Sequence, residues 1–140
     1  MSEPALISAI VPTLNEEACI ESCLQRLRLA GADELIVVDG GSDDRTLELA
    51  RSEADRVLVE PGGVFQQMNR GAREAGGGIL VFQYADGILG EGACSEIRRT
   101  LEDPAIAGGA FRLRLDRPGL FYGAVSLCSD WRNRLGFGPF

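Results

Sequence analysis

Apolar runs alternate with amphipathic stretches through most of this chain. A largely apolar run from Leu6 to Val11, closed by Pro12, has the length and continuity of a strand buried on both faces. Thr13 and Glu16 then have capping-box spacing, and Ile20, Cys23, Leu24 and Leu27 recur at i, i+3, i+4 and i+7, predicting a helix that Gly31 closes. Leu35 to Val38 predicts a second buried strand. It ends in Asp39, Gly40, Gly41 and Ser42, and Ser42, Asp43 and Asp44 suit the start of a helix with Leu47, Ala50 and Ala54 inward.

The same alternation continues. Arg56 to Val59 predicts a short third strand, and Phe65, Met68, Ala72 and Ala75 predict the apolar stripe of a third helix ended by Gly76 to Gly78. Ile79 to Phe82 predicts a fourth strand, followed by a helix carrying Cys94, Ile97 and Leu101 and stopped by Asp103 and Pro104. Beyond it, Phe111, Leu113 and Leu115 alternate with Arg112 and Arg114, the period of a half-buried strand. Four βα units in a row imply an α/β fold: a mostly parallel, Rossmann-like sheet with helices on both faces.

Ligands of such sheets bind at the carboxyl ends of the strands. Those ends carry Thr13 and Asn15, Asp39, and Asp86, so polar groups from three strands are directed to one edge. The first βα turn reads Val11-Pro12-Thr13-Leu14-Asn15-Glu16, which lacks the GxGxxG dinucleotide fingerprint.

Composition narrows the chemistry further. All 14 basic residues among the 140 are Arg, and with 21 acidic residues the formal charge is −7. There is no His and no Lys, which removes serine and cysteine triads, HExxH zinc sites, Walker A loops and Schiff bases. The acidic balance argues against nucleic-acid binding. Cys19, Cys23, Cys94 and Cys128 form no CxxC pair, and the N-terminus has no basic segment ahead of its apolar stretch, so a reducing, cytoplasmic setting is expected. What remains is carboxylates, amides, hydroxyls, Arg, or a hard metal ion on oxygen ligands.

Four segments carry a resemblance: IVPTLNEE (10–17), IVVDGGSDDRT (36–46), QMNRGA (67–72) and ADGIL (85–89). In this order and spacing the chain resembles inverting family 2 glycosyltransferases of the GT-A fold, most closely the bacterial radical-SAM/selenodomain-associated branch. The resemblance implies that residues 1–110 are the βα units binding a nucleotide-diphosphate sugar, typically of the UDP type, and that 111–140 begin the acceptor side. It further implies that Pro12, Thr13, Asn15 and Glu16 line the nucleoside pocket, that Asp39 accepts hydrogen bonds from the base, and that Gln67 and Asn69 lie on a helix facing the donor. Ala85 and Asp86 fall in the DxD position, where Asp86 would bind Mg2+ or Mn2+ bridging the diphosphate.

The sequence departs from that family at three places. Tyr84 stands at the first DxD position, Val64 replaces an Arg frequent in the branch, and the region that carries the acceptor base in relatives has no counterpart. Asp116 and Asp130 are the only carboxylates after Asp103, and the general base is not assigned. The fold is therefore expected to be C-terminally incomplete. A catalytically silent nucleotide-binding or assembly module on a GT-A half-fold is the alternative. Six of the nine aromatic residues follow residue 110, which predicts an inactive 140-residue chain whose apolar tail either self-associates or stays mobile, the alternative being a tail folded back over the sheet as an amphipathic helix.

Overall fold

The computed structural model describes residues 4–111. Its elements are β1 (Ile7–Thr13), α1 (Ile20–Leu29), β2 (Glu34–Asp39), α2 (Thr46–Glu53), β3 (Arg56–Val59), α3 (Val64–Glu74), β4 (Ile79–Phe82) and α4 (Ala93–Leu101). The four strands form one sheet in the order β3-β2-β1-β4, and every neighbouring pair is parallel. This is the α/β, Rossmann-like fold with helices on both faces that the four βα units imply.

Strand parity explains why the central strands are apolar almost throughout, with the buried Ser8 of β1 as a polar exception whose hydroxyl donates to Glu34. Ile7, Ala9 and Val11 of β1, with Leu35 and Val37 of β2, face a core shared with Ile20, Leu24 and Leu27 of α1, Ala50 of α2 and Cys94 of α4. The intervening positions Ile10, Ile36 and Val38 face the opposite side, where Ala72 of α3 and Ala75 beside it pack on them. Each fully buried Ile or Leu contributes on the order of 1.5–3 kcal/mol relative to exposure. Burial is therefore concentrated on β1 and β2, and the sheet's outer strands are thinner. On β4, Val81 points into the core while Leu80 and Phe82 are exposed on the other face.

Three local expectations give way to tertiary geometry. Thr13 ends β1 and is no helix cap; α1 starts at Ile20, after a turn in which Asn15 takes a φ of 55°. Ser42 does not open α2, which begins at Thr46, because the Ser42 N–H and hydroxyl both turn back to Asp39. On α3, Phe65 is exposed and the side facing the sheet is occupied by Gln67 and Gly71. Gly71 has no side chain, so the helix settles directly on Ile10 and Val38.

The chain divides into two compact units between Glu102 and Asp103. In the described part of the second, the Asp103 side chain and carbonyl accept from the N–H groups of Ala105 and Ile106. The expected strand beyond Phe111, the pairs Arg112/Arg114 and Arg132/Arg134, Asp116, Asp130, Cys128 and the apolar tail with its self-association lie outside the described residues.

Candidate functional site

The carboxyl ends of β1 and β2 are locked together by side chains. Asp39, the last residue of β2, is 0% exposed. Its Oδ2 accepts from the Thr13 hydroxyl at 3.0 Å and its Oδ1 from the backbone N–H groups of Gly41 at 2.9 Å and Ser42 at 2.7 Å. Burial alone would push this carboxyl up, but the hydrogen bonds from Ser42, Gly41 and Thr13 outweigh it and hold the group below its ordinary value. The Gly40 N–H donates to the Thr13 carbonyl at 2.8 Å, closing the junction from the backbone side.

The loop after β1 is clamped to the loop after β2 by reciprocal bonds. Asn15 N–H donates to Ser42 Oγ at 2.8 Å, and Asn15 Oδ1 accepts from the Asp43 N–H at 3.0 Å. Glu16 N–H donates to Thr46 Oγ1, Glu17 N–H to Asp44, and the Glu17 carboxylate accepts from the Arg45 N–H. Two of these partners, Ser42 and Asp44, read from sequence as residues of a helix start, and the third, Thr46, only as the end of the 36–46 segment. The cue available was the local run of Ser, Asp and Thr, whose side chains bond nearby backbone; which backbone they bond is set across 27–30 positions of chain.

The remaining candidates divide. Pro12 is buried within β1. Gln67 is buried on α3, its Nε2 donates to the Gly62 carbonyl at 3.3 Å, and its amide lies directly against Gly40, leaving no room there for a Cβ. Asn69 is exposed and, two residues on, stands about 200° around the helix from Gln67, so the two do not share a face. Ala85 is buried and Asp86 exposed in the loop after β4.

Asp86 and Glu16 stand near the Cys19 thiol. Burial, a 3.0 Å hydrogen bond to the Glu16 carboxylate, and repulsion from Glu16 and Asp86 push Cys19 up to about 12. Among the described residues no three His, Cys, Asp or Glu side chains converge as a metal cage. No Arg forms an ion pair with Asp86 among them either. An ion at Asp86 would take one carboxylate from the described residues and its other oxygens from outside them. An open cleft of about 490 Å³ beside α1, at Arg26 and Leu29, is lined by none of the candidate residues.

The sequence profile of glycosyl transferase family 2 matches residues 8–134. The chain belongs to this family. A PGL/p-HBAD biosynthesis glycosyltransferase of Mycobacterium bovis is 39% identical over 95 residues, covering 61% of this chain and 37% of the relative. An undecaprenyl-phosphate 4-deoxy-4-formamido-L-arabinose transferase of Pseudomonas aeruginosa is 41% identical over 56 residues, 36% of this chain and 16% of its own. Among solved structures, glucosyl-3-phosphoglycerate synthase from Mycobacterium tuberculosis, in complex with Mn2+, UDP and glucosyl-3-phosphoglycerate, matches with a TM-score of 0.52 and 35% identity. That match covers 59% of this chain and 34% of the synthase. The match thus spans about a third of the length of the two mycobacterial relatives and about a sixth of the Pseudomonas transferase.

Proposed function

We propose that this chain forms the nucleotide-sugar side of a glycosyltransferase that passes a sugar from a nucleoside diphosphate, of the UDP type, to an acceptor with inversion. Within family 2, the segments 10–17, 36–46, 67–72 and 85–89 taken together support the radical-SAM/selenodomain-associated branch. The observation that carries the reading is the exposed Asp86 carboxylate, free of any Arg partner among the described residues, on the edge where two cross-bonded loops end β1 and β2.

In that reaction the acceptor oxygen bonds to the anomeric carbon as the sugar–phosphate bond breaks. The bonding pair leaves with the diphosphate, and the acceptor proton goes to a base. The chain's contribution is positional. Pro12, Thr13, Asn15 and Glu16 shape the wall against which the nucleoside rests, with Asp39 and Gln67 beneath it and Ala85 setting the backbone that carries Asp86. Asp86 would hold a divalent ion, Mg2+ or Mn2+, whose chemistry there would be to neutralise charge on the departing diphosphate. The synthase complex that holds both Mn2+ and UDP supports a divalent ion acting together with the nucleotide.

Thermal unfolding with UDP tests the reading. UDP with Mn2+ is expected to raise the melting temperature by mass action, and Asp86→Asn to remove the metal-dependent part of the rise. No stabilisation of the wild type by millimolar nucleoside diphosphate and metal would overturn it.

A further inference from the structure

A carboxylate offers about four lone-pair positions. In Asp39 all four are taken: Oδ1 by the N–H groups of Gly41 and Ser42, Oδ2 by the hydroxyls of Thr13 and Ser42 at 3.0 and 2.5 Å. The side chain is also 0% exposed, so a ligand would have to displace one of these donors to reach it. The Ser42 hydroxyl that donates to Asp39 accepts from the Asn15 N–H, which extends the hold of this one side chain to the exposed loop after β1.

We infer that Asp39 is a positioning residue that orders Thr13, Ser42 and through them Asn15, and that it does not itself accept a hydrogen bond from the nucleotide base. The inference rests on the nucleotide-binding reading above and changes which groups meet the ligand. Discrimination among bases then falls to the groups that Asp39 holds in place, with Asn15 the exposed one among them.

Replacement by Asn separates the two roles. A carboxamide can still accept both N–H groups on its oxygen, and its NH2 can donate to the two hydroxyls, which rotate to accept. A positioning Asp39 therefore predicts that Asp39→Ala weakens UDP binding about tenfold and that Asp39→Asn restores most of it. A carboxylate that accepts directly from the base predicts that Asp39→Asn binds as poorly as Asp39→Ala, and that result would overturn the inference. Ser42→Ala, which leaves the Asp39 carboxylate intact, serves if Asp39→Ala does not fold; it is expected to weaken UDP binding, and unchanged binding counts against the inference.

Amide hydrogen exchange in the ligand-free 140-residue chain gives an arm independent of nucleotide. Ser42→Ala is expected to speed exchange at Asn15, and Asp39→Ala at Gly41 and Ser42. Unchanged exchange overturns the inference. If the wild type binds no UDP, the proposed function fails while this arm still decides the role of Asp39.

Discussion

Gly71 of α3 lies so close to Ile10 of β1 that a Cβ at position 71 would stand 2.5 Å from Ile10 Cγ2 and 3.1 Å from Val38 Cγ2. Both neighbours are fully buried and β-branched, with little rotamer freedom to retreat. Ala would gain about 1 kcal/mol in helix propensity, but overpacking a core contact costs typically about 1–3 kcal/mol. Gly71→Ala is therefore expected to lower the urea midpoint, whereas Gly→Ala at the exposed Gly78, where nothing lies within 4 Å, leaves it unchanged within error.

Arg98 of α4 gathers three acceptors at the amino-terminal edge of the sheet. Its guanidinium donates to the carbonyls of Ala5 and Gly31 and to Asp33, whose Oδ2 also accepts the Ile7 N–H at 2.7 Å. A planar fork serves several directions at once and an ammonium does not. Arg98→Ala is expected to cost about 1–3 kcal/mol in denaturant unfolding, and Arg98→Lys to recover less than half of that. Full recovery by Lys would show that charge alone matters.

Acid should unfold the chain through a few identified carboxyls. Asp39 and Asp55 are held below their ordinary 3.8, and Glu34 below its ordinary 4.5. For Asp39 and Asp55 burial opposes ionisation, and hydrogen bonds from Ser42 and from the Leu35 N–H respectively prevail; for Glu34 the Ser8 hydroxyl leads. Because the folded values are lowered, their stabilisation is complete above the ordinary values and lost as pH falls through the folded ones. The urea midpoint should hold between about pH 6 and 8 and fall below about pH 4. In Asp39→Asn the fall should be shallower; an equally steep fall would exclude Asp39 as a contributor.

The thiols on α1 and at its start should be inert. Burial first, then the Glu16 and Asp86 carboxylates, push Cys19 from 9.0 to about 12 and Cys23 to about 11. Since the thiolate is the nucleophile, each unit removes tenfold of the reactive form. In a Cys128→Ser background, iodoacetamide at pH 8 is expected to label Cys23 about a hundredfold and Cys19 about a thousandfold more slowly in the native chain than in urea. Equal rates would show the thiolates to be unhindered.

The alternation of apolar runs with helical stripes determined the four βα units, because burial on both faces of β1 and β2 makes their middle positions apolar apart from the hydrogen-bonded Ser8. Acidic, amide and hydroxyl residues at the strand ends likewise picked out Thr13, Asn15, Asp39 and Asp86 as candidates at the sheet's carboxyl edge. The sequence could not decide what those residues bond to. Thr13 and Glu16 have the spacing of a cap, yet Thr13 binds Asp39, 26 residues away, and Glu16 binds through its N–H to Thr46. Phe65 completes an apolar stripe on paper, yet α3 turns Gly71 and Gln67 inward because close approach to Ile10 and Val38 outweighs burying one aromatic ring. Local spacing records what a backbone segment can do alone. Which of two equally capable donors finds an acceptor, and which helix face meets the sheet, is settled only when distant strands lie side by side and each buried polar group must find a partner.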